Sequence, residues 1–197
     1  LENTLIILSS DNGPVLNDGY YDDAVEKVGS HTPSGPLRGG KYSLFEAGTR
    51  VPFISYWKGH IDPEVSDALV SQVDLFSSLA KLVGSEIRSS DSEELLKVFL
   101  GEQELGREEL ILEATGRTAL RKGHWVLIPP YNGPAISKNV NIEIGNAPEY
   151  QLYNLEEDIG EQNNLALSHP EKLEEMIASY NEIRGETEEV SGEVVLK

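Results

Sequence analysis

Two short stretches carry the residue types best suited to chemistry. Asp11-Asn12-Gly13 sets a carboxylate beside a carboxamide. Both are hard oxygen donors, which suit Ca²⁺ or Mg²⁺ better than zinc. Gly13 permits the sharp turn that would aim both side chains into one site. Taken alone, the tripeptide reads more simply as an Asx turn or a hairpin Asn-Gly. The second stretch, Gly35-Pro-Leu-Arg-Gly-Gly-Lys41, has the glycine and lysine spacing that opens a phosphate-binding loop. Tyr42 stands where a Ser or Thr hydroxyl should hold magnesium, and Pro33 to Pro36 precede it in place of a buried strand, so the P-loop is rejected. What survives is a lysine in a Gly-rich turn, either an anion ligand or a solvated surface residue.

Single residues say less. His31, in a polar loop, is a candidate for substrate contact, although a loop histidine is usually only solvated. His60, His124 and His169 lack metal-binding spacing. Glu46 and Arg50 bracket the Gly-rich turn and suit an ion pair that shapes it. Asp74 sits on a mostly apolar helical stretch and is expected to bond loop backbone.

The elements that must position these groups follow from the periodicity. Asn3 to Ser10 is a short apolar run and reads as a strand buried on both faces, as in a parallel α/β sheet. Ligands gather at the carboxyl ends of such strands, where Asp11 and Asn12 lie. Pro14 to Gly48 reads as a long loop, a class that is often functional. Val51 to Trp57 is the next strand, with Pro52 near its start. Leu69, Val73, Phe76, Ala80 and Val83 predict a helix stopped by Gly84. Ser90 and Glu93 have capping-box spacing before a shorter helix ended by Gly101.

Beyond Gly101 the character changes. Leu110–Ala114, Thr118–Arg121, Trp125–Ile128 and Tyr150–Asn154 predict a small antiparallel sheet. Ser168 to Glu171 has capping-box spacing before a helix whose apolar face is Leu173, Met176, Ile177, Tyr180 and Ile183. The acidic tail from Glu186 is expected to be loosely held. A boundary falls near Gly101 to Glu104, giving regions 1–101 and 102–197.

Composition narrows the partners. The 197 residues carry 34 Asp plus Glu against 16 Lys plus Arg, a net charge of −18. Such a field repels nucleic acid and anionic lipid, so neither is expected as a partner. It also repels an anionic substrate at long range, so local cations or a metal must dominate in the site. The absence of cysteine removes disulfides, thiolate metal sites and a Cys nucleophile. No apolar run approaches the roughly 20 residues of a membrane span. The chain moves almost at once from Leu1 into a strand pattern, so it is expected to be part of a longer protein, with any targeting segment upstream.

Taken in order, the segments resemble the sulfatase family. The blocks are Ser10-Asp11-Asn12-Gly13, Pro36-Leu-Arg-Gly-Gly-Lys41, and Phe45-Glu46-Ala47-Gly48-Thr-Arg50-Val-Pro52. They continue through Ser66 to Leu75, Leu95 to Gly101, Ala119 to Trp125, Tyr150 to Leu155 and Asp158 to Leu165. The resemblance implies the C-terminal part of an alkaline-phosphatase-like α/β catalytic domain (1–101), then a small C-terminal α+β subdomain (102–197) built of an antiparallel sheet and a helix. It matches Asp11 and Asn12 to ligands of an active-site calcium, and Lys41 to the catalytic lysine that contacts the substrate sulfate. His31 matches no family residue and stays a guess at substrate contact. The sequence departs from the usual blocks at Tyr42 and Ala47, both commonly Gly.

By the same resemblance, the nucleophile is a formylglycine made from a Cys/Ser-x-Pro-x-Arg motif in the N-terminal half, expected outside this chain with the remaining calcium ligands. The implied partners are a sulfated small molecule or glycan and the N-terminal part of the same protein. The implied location is periplasmic or secreted, alternatively lysosomal. Alone, the chain is expected to be inactive, and its first 101 residues aggregation-prone or oligomeric. Two rivals stand beside this reading. One is a phosphatase or phosphodiesterase of the same superfamily. The other is a non-catalytic glycan-binding pseudoenzyme, with Trp125, Tyr131 and Tyr150 as a stacking platform.

Overall fold

A computed structural model describes residues 1–87 and 89–185. The acidic tail from Glu186 lies outside the described residues. The chain is mixed α/β with small antiparallel sheets, as the resemblance implies, but its first two strands pair differently from the reading above. β1 (Ile6–Ser9) runs antiparallel to β2 (Phe53–Tyr56), with Ile6 opposite Tyr56 and Ser9 opposite Phe53. β1 was expected to be buried on both faces, yet Ile6, Leu8, Ile54 and Tyr56 are exposed. The reason is that β1 and β2 have only each other among the described residues, and a two-stranded ribbon cannot cover its own faces.

The helix after β2 also turns a different face inward. α3 (Asp74–Leu82) buries Asp74, Ser77 and Ser78, while Val73, Phe76 and Val83 are exposed. Backbone groups of the neighbouring segments need partners, and these polar side chains supply them. Asp74 accepts from the N–H groups of Ser71 and Glu93, both at 2.9 Å, and Ser78 Oγ accepts from Leu95 N–H at 2.8 Å. Ser77 donates twice to Ser92, from its N–H to Oγ and from its hydroxyl to the backbone carbonyl. The capping box expected at Ser90 and Glu93 does not form. Instead Glu94 accepts from Leu96 N–H at 3.0 Å, opening α4 (Leu96–Phe99). Leu95, Val98 and Phe99 pack with Phe53, Ala68, Val70 and Leu75 into a small core, where the Phe53 and Phe99 rings stack at 5.3 Å.

The larger core lies in the second half. β3 (Glu109–Ala114), β4 (Arg117–Lys122), β5 (Trp125–Ile128) and a later strand at Gln151–Asn154 form one antiparallel sheet in the order β3-β4-β5-β8. Thr115-Gly116 joins β3 to β4 with both residues at positive φ, the geometry a two-residue hairpin turn needs. Two further strands, β6 (Ile136–Ser137) and β7 (Ile142–Glu143), form a separate ribbon too short to carry a sequence period, and β8 is the strand at Gln151–Asn154. α1 (Ala24–Lys27) is a single turn within the long Pro14–Gly48 loop, and α2 (Glu46–Thr49) is a single turn across its end.

Alternation along the strands gives the four-stranded sheet two apolar faces. One carries Leu120, Leu127 and Leu152 and is covered by α5 (Pro170–Arg184) through Leu173, Met176, Ile177 and Tyr180, as the helical spacing predicts. Ile183 of that stripe is exposed, and Ser168 bonds Leu165 O and His169 Nδ1 in place of the expected cap. The other face carries Ala119, Val126, Ile128 and Tyr153. It is covered by Leu44 and Phe45, from the segment just after Lys41. Trp125 and Tyr150 pack against the first cluster and Tyr131 against the second, so these aromatics are walls of two cores rather than one platform.

Candidate functional site

Asp11 and Asn12 follow the end of β1 in a bend, with Asp11 exposed and Asn12 half-buried. Asn12 Nδ2 donates to its neighbour Gly13 O at 2.9 Å, which commits the nitrogen and leaves the carbonyl oxygen as the atom for a cation. Three backbone bonds then tie this bend, the Gly-rich turn and the helical turn at Glu46–Thr49 to one another. Gly13 N–H donates to Gly48 O at 2.9 Å, Lys41 N–H to Pro14 O at 2.9 Å, and Ala47 N–H to Arg38 O at 3.0 Å. The fit at Gly13 admits no side chain, because a Cβ there would stand 1.6 Å from Ala47 O. Gly13→Ala is therefore expected to destabilise the protein by about 1–3 kcal/mol or more and to part the two segments, read as a lowered Tm.

The Gly-rich turn is held from the second half of the chain as well. Arg117 donates to Tyr42 O at 3.0 Å and to Ile144 O at 2.8 Å. Burial pulls its guanidinium below the ordinary arginine value, since its bonded acceptors are all neutral. Tyr42 takes φ 75°, a left-handed conformation that favours glycine, which explains the glycine usual at that position. Ala47, the other departure, lies in α2 with no positive φ.

Arg38 is spent on structure. It makes two 2.9 Å bonds to the Glu143 carboxylate, donates to Glu161 O at 2.6 Å and lies 4.0 Å over the Phe45 ring. The Arg38 hydrogen bond holds the Glu143 carboxyl below the ordinary range. The expected Glu46–Arg50 ion pair forms at 3.1 Å, and Arg121 of β4 reaches the other Glu46 oxygen at 3.1 Å. Asp74 bonds loop backbone as expected and also receives Arg107, a pairing that spacing could not reveal.

These ties bring Asp11, Asn12 and Lys41 to one cleft of about 1070 Å³, together with Glu46, Arg50 and Arg121. His31 does not join them; it is exposed and lies outside that lining. The sequence reading missed Arg117, Arg121 and Glu161 as supports of the site. Their sole signal was membership of, or nearness to, the resembling blocks, because their partners are distant in sequence.

Among the described residues no three His, Asp or Glu groups form a metal-binding cluster. Asp11 and Asn12 fit a hard cation by donor chemistry, but the two side chains alone would fall well short of the six to eight oxygens that a calcium ion takes. One stretch, Ser34-Gly-Pro-Leu-Arg38, does satisfy Ser-x-Pro-x-Arg spacing. Ser34 lines a separate small hollow with Pro14 and Ile142 rather than the cleft, and Arg38 is bonded elsewhere. The match is one of spacing alone.

Comparison with known proteins adds the family context. The family model described as Sulfatase matches residues 1–85. The chain is 45% identical to the N-acetylgalactosamine-6-O-sulfatase of Bacteroides thetaiotaomicron over 89% of this chain and 35% of that protein. It is 31% identical to human Arylsulfatase A over 84% of this chain and 34% of that protein. A solved 6S-sulfatase structure, from work on glycosaminoglycan metabolism by the same Bacteroides species, superposes with a TM-score of 0.88 at 42% identity. It is matched over 93% of this chain and 39% of its own. A sulfatase from Pseudoalteromonas sp. superposes at 0.69 with 25% identity, over 93% of this chain and 37% of its own. The chain thus spans about a third of the length of the curated relatives it matches.

Proposed function

Because this chain belongs to the sulfatase family, we propose that it supplies one wall of a site that hydrolyses sulfate esters. The observation that carries this reading is the meeting of Asp11, Asn12 and Lys41 at one cleft from blocks far apart in sequence. Asp11 and Asn12 ligate calcium through their side-chain oxygens, completed by ligands from the rest of the protein. Calcium held there supplies positive charge to the sulfate oxygens. Lys41 places its ammonium against the same group and donates a hydrogen bond as negative charge builds on it, an interaction of large catalytic weight. Arg117 and the Gly13 and Pro14 staples fix the direction from which Lys41 reaches. His31, exposed and off the cleft, takes at most the outer part of a long substrate. The formylglycine nucleophile belongs to the N-terminal part of the protein.

The substrate proposed is a sulfated glycan bearing a 6-O-sulfate on an amino sugar, on the strength of the 45% identical relative. The exposed apolar residues of β1, β2 and α3 support docking of the N-terminal part on that side, since the relatives are nearly three times as long. The division at 101/102 is kept as a working boundary, with the first region contributing Leu44 and Phe45 to the sheet of the second. No helix among the described residues is long and apolar enough to cross a membrane. A periplasmic or secreted location is proposed by analogy.

The test is sulfate release by the full-length protein from 6-O-sulfated N-acetylgalactosamine, with aryl phosphate as control and with calcium present or chelated. Calcium-dependent sulfate release supports the proposal. Preference for phosphate, or turnover that survives chelation, refutes it. The 197-residue chain alone is expected to release none.

A further inference from the structure

Glu161 is wholly buried, sits at φ 52° and has one carboxyl oxygen without a hydrogen-bond partner among the described residues. Its other oxygen accepts the N–H of Glu46 at 2.7 Å, the first residue of α2. Its backbone carbonyl accepts from Arg38 at 2.6 Å. Glu161 thereby touches both parts of the segment that carries Lys41. From α2, Gly48 O holds Gly13 beside Asp11-Asn12, and Arg38 O holds Ala47. A buried, strained acid with an unsatisfied oxygen persists only where its surroundings fix it, and such residues concentrate at functional sites.

We infer that Glu161 is a positioning residue: through Glu46 and Arg38 it locks α2 to the Gly-rich turn and so sets the spacing between Asp11-Asn12 and Lys41. The catalytic meaning of that spacing rests on the sulfatase reading; the lock itself does not. Three charged groups act on the carboxyl: Glu46 of α2, Arg38 of the Gly-rich turn and Arg121 of β4. The neutral phenol of Tyr153 in β8 lies in its field, with Asp158, Arg50 and Glu143 one partner further out.

Burial first, and the Glu46 carboxylate after it, push the Glu161 carboxyl up to about 8 from an ordinary 4.5. The folded protein therefore holds this proton where the unfolded chain has released it. The lock is at full strength below the ordinary value and weakens as pH rises through that window, until the folded value is passed. Glutamine has the shape of the neutral acid and does not titrate, so it should keep the lock and lose the pH dependence.

The experiment compares wild type, Glu161→Gln and Glu161→Ala in the full-length protein at about pH 6 and about pH 9. It reads kcat and KM for a sulfate ester, and amide hydrogen exchange at Gly13, Glu46 and Ala47 corrected for intrinsic rates. Glu161→Ala is expected to lower kcat by roughly 10²-fold, the cost of a small misplacement, with little change in KM. It should also deprotect those amides. Glu161→Gln should restore kcat and protection at the lower pH. Wild type should lose protection at the higher pH, and the glutamine variant should not. Wild-type protection in Glu161→Ala, no rescue by Glu161→Gln, or equal pH dependence in Glu161→Gln and wild type would each overturn the inference. A wild type that turns over no sulfate ester would count against the sulfatase reading alone, and the exchange data would still decide for or against the lock.

Discussion

Lys41→Ala in the full-length protein is expected to lower kcat for a sulfate ester by roughly 10²- to 10³-fold with bound calcium unchanged, the loss typical of one electrostatic contact to a developing charge. The change removes only the side chain. Lys41 N–H still donates to Pro14 O, and Arg117 still holds Tyr42 O, so the turn keeps its course. The loss is large because the site needs a local cation against the −18 net charge that these 197 residues carry. Lys41→Arg should not restore the rate, since a planar, delocalised guanidinium does not take the place of a compact ammonium point charge. Asp11→Ala is expected to lose turnover and calcium together, measured as metal content after dialysis. Turnover like that of wild type in either variant would reduce that residue to scaffolding.

Asp74→Ala is expected to cost about 3–5 kcal/mol of stability, the range for breaking a buried ion pair from one side. Asp74 is wholly buried and takes four hydrogen bonds, from Ser71 N–H, Glu93 N–H and two nitrogens of Arg107. Alanine would orphan both backbone donors and leave a largely buried guanidinium without its main anion, since Glu93 at 3.0 Å is itself half exposed. The Asp74 hydrogen bond raises Arg107 above the ordinary arginine value, so the guanidinium keeps its charge. Arg107 also donates to Asp91 O and its own N–H bonds Leu69 O, so the pair joins the linker to α3 and the segments on either side of it. Denaturant unfolding checks this. Asp74→Asn, which keeps an acceptor but not the charge, should fall between wild type and alanine.

Much of the fold was legible because it depends on local periods. Strands β3, β4, β5 and β8 and the stripe of α5 follow alternation and helical spacing, which the chain obeys wherever one face meets a core. The α3 stripe misled for a related reason. Val73, Phe76 and Val83 have helical spacing, but that spacing does not say what the stripe faces, and within this chain the polar edge with Asp74 is the buried one. The same holds for β1, whose apolar run implies a covering layer without specifying which part of the protein provides it.

For the candidate site, the sequence by itself determined the chemistry: hard oxygens at Asp11 and Asn12, a cation at Lys41, no thiol, and a surplus of negative charge that any anion must overcome. Tertiary structure decided the geometry. It brought the three groups to one cleft, left His31 outside it, placed Ser34 in another hollow, and enlisted Arg117, Arg121 and Glu161 as supports. The physical reason is that donor type and charge are properties of single residues. Buried hydrogen bonds and ion pairs are instead properties of pairs, and here the pairs join residues that only the packing of Leu44 and Phe45 onto the four-stranded sheet brings within reach.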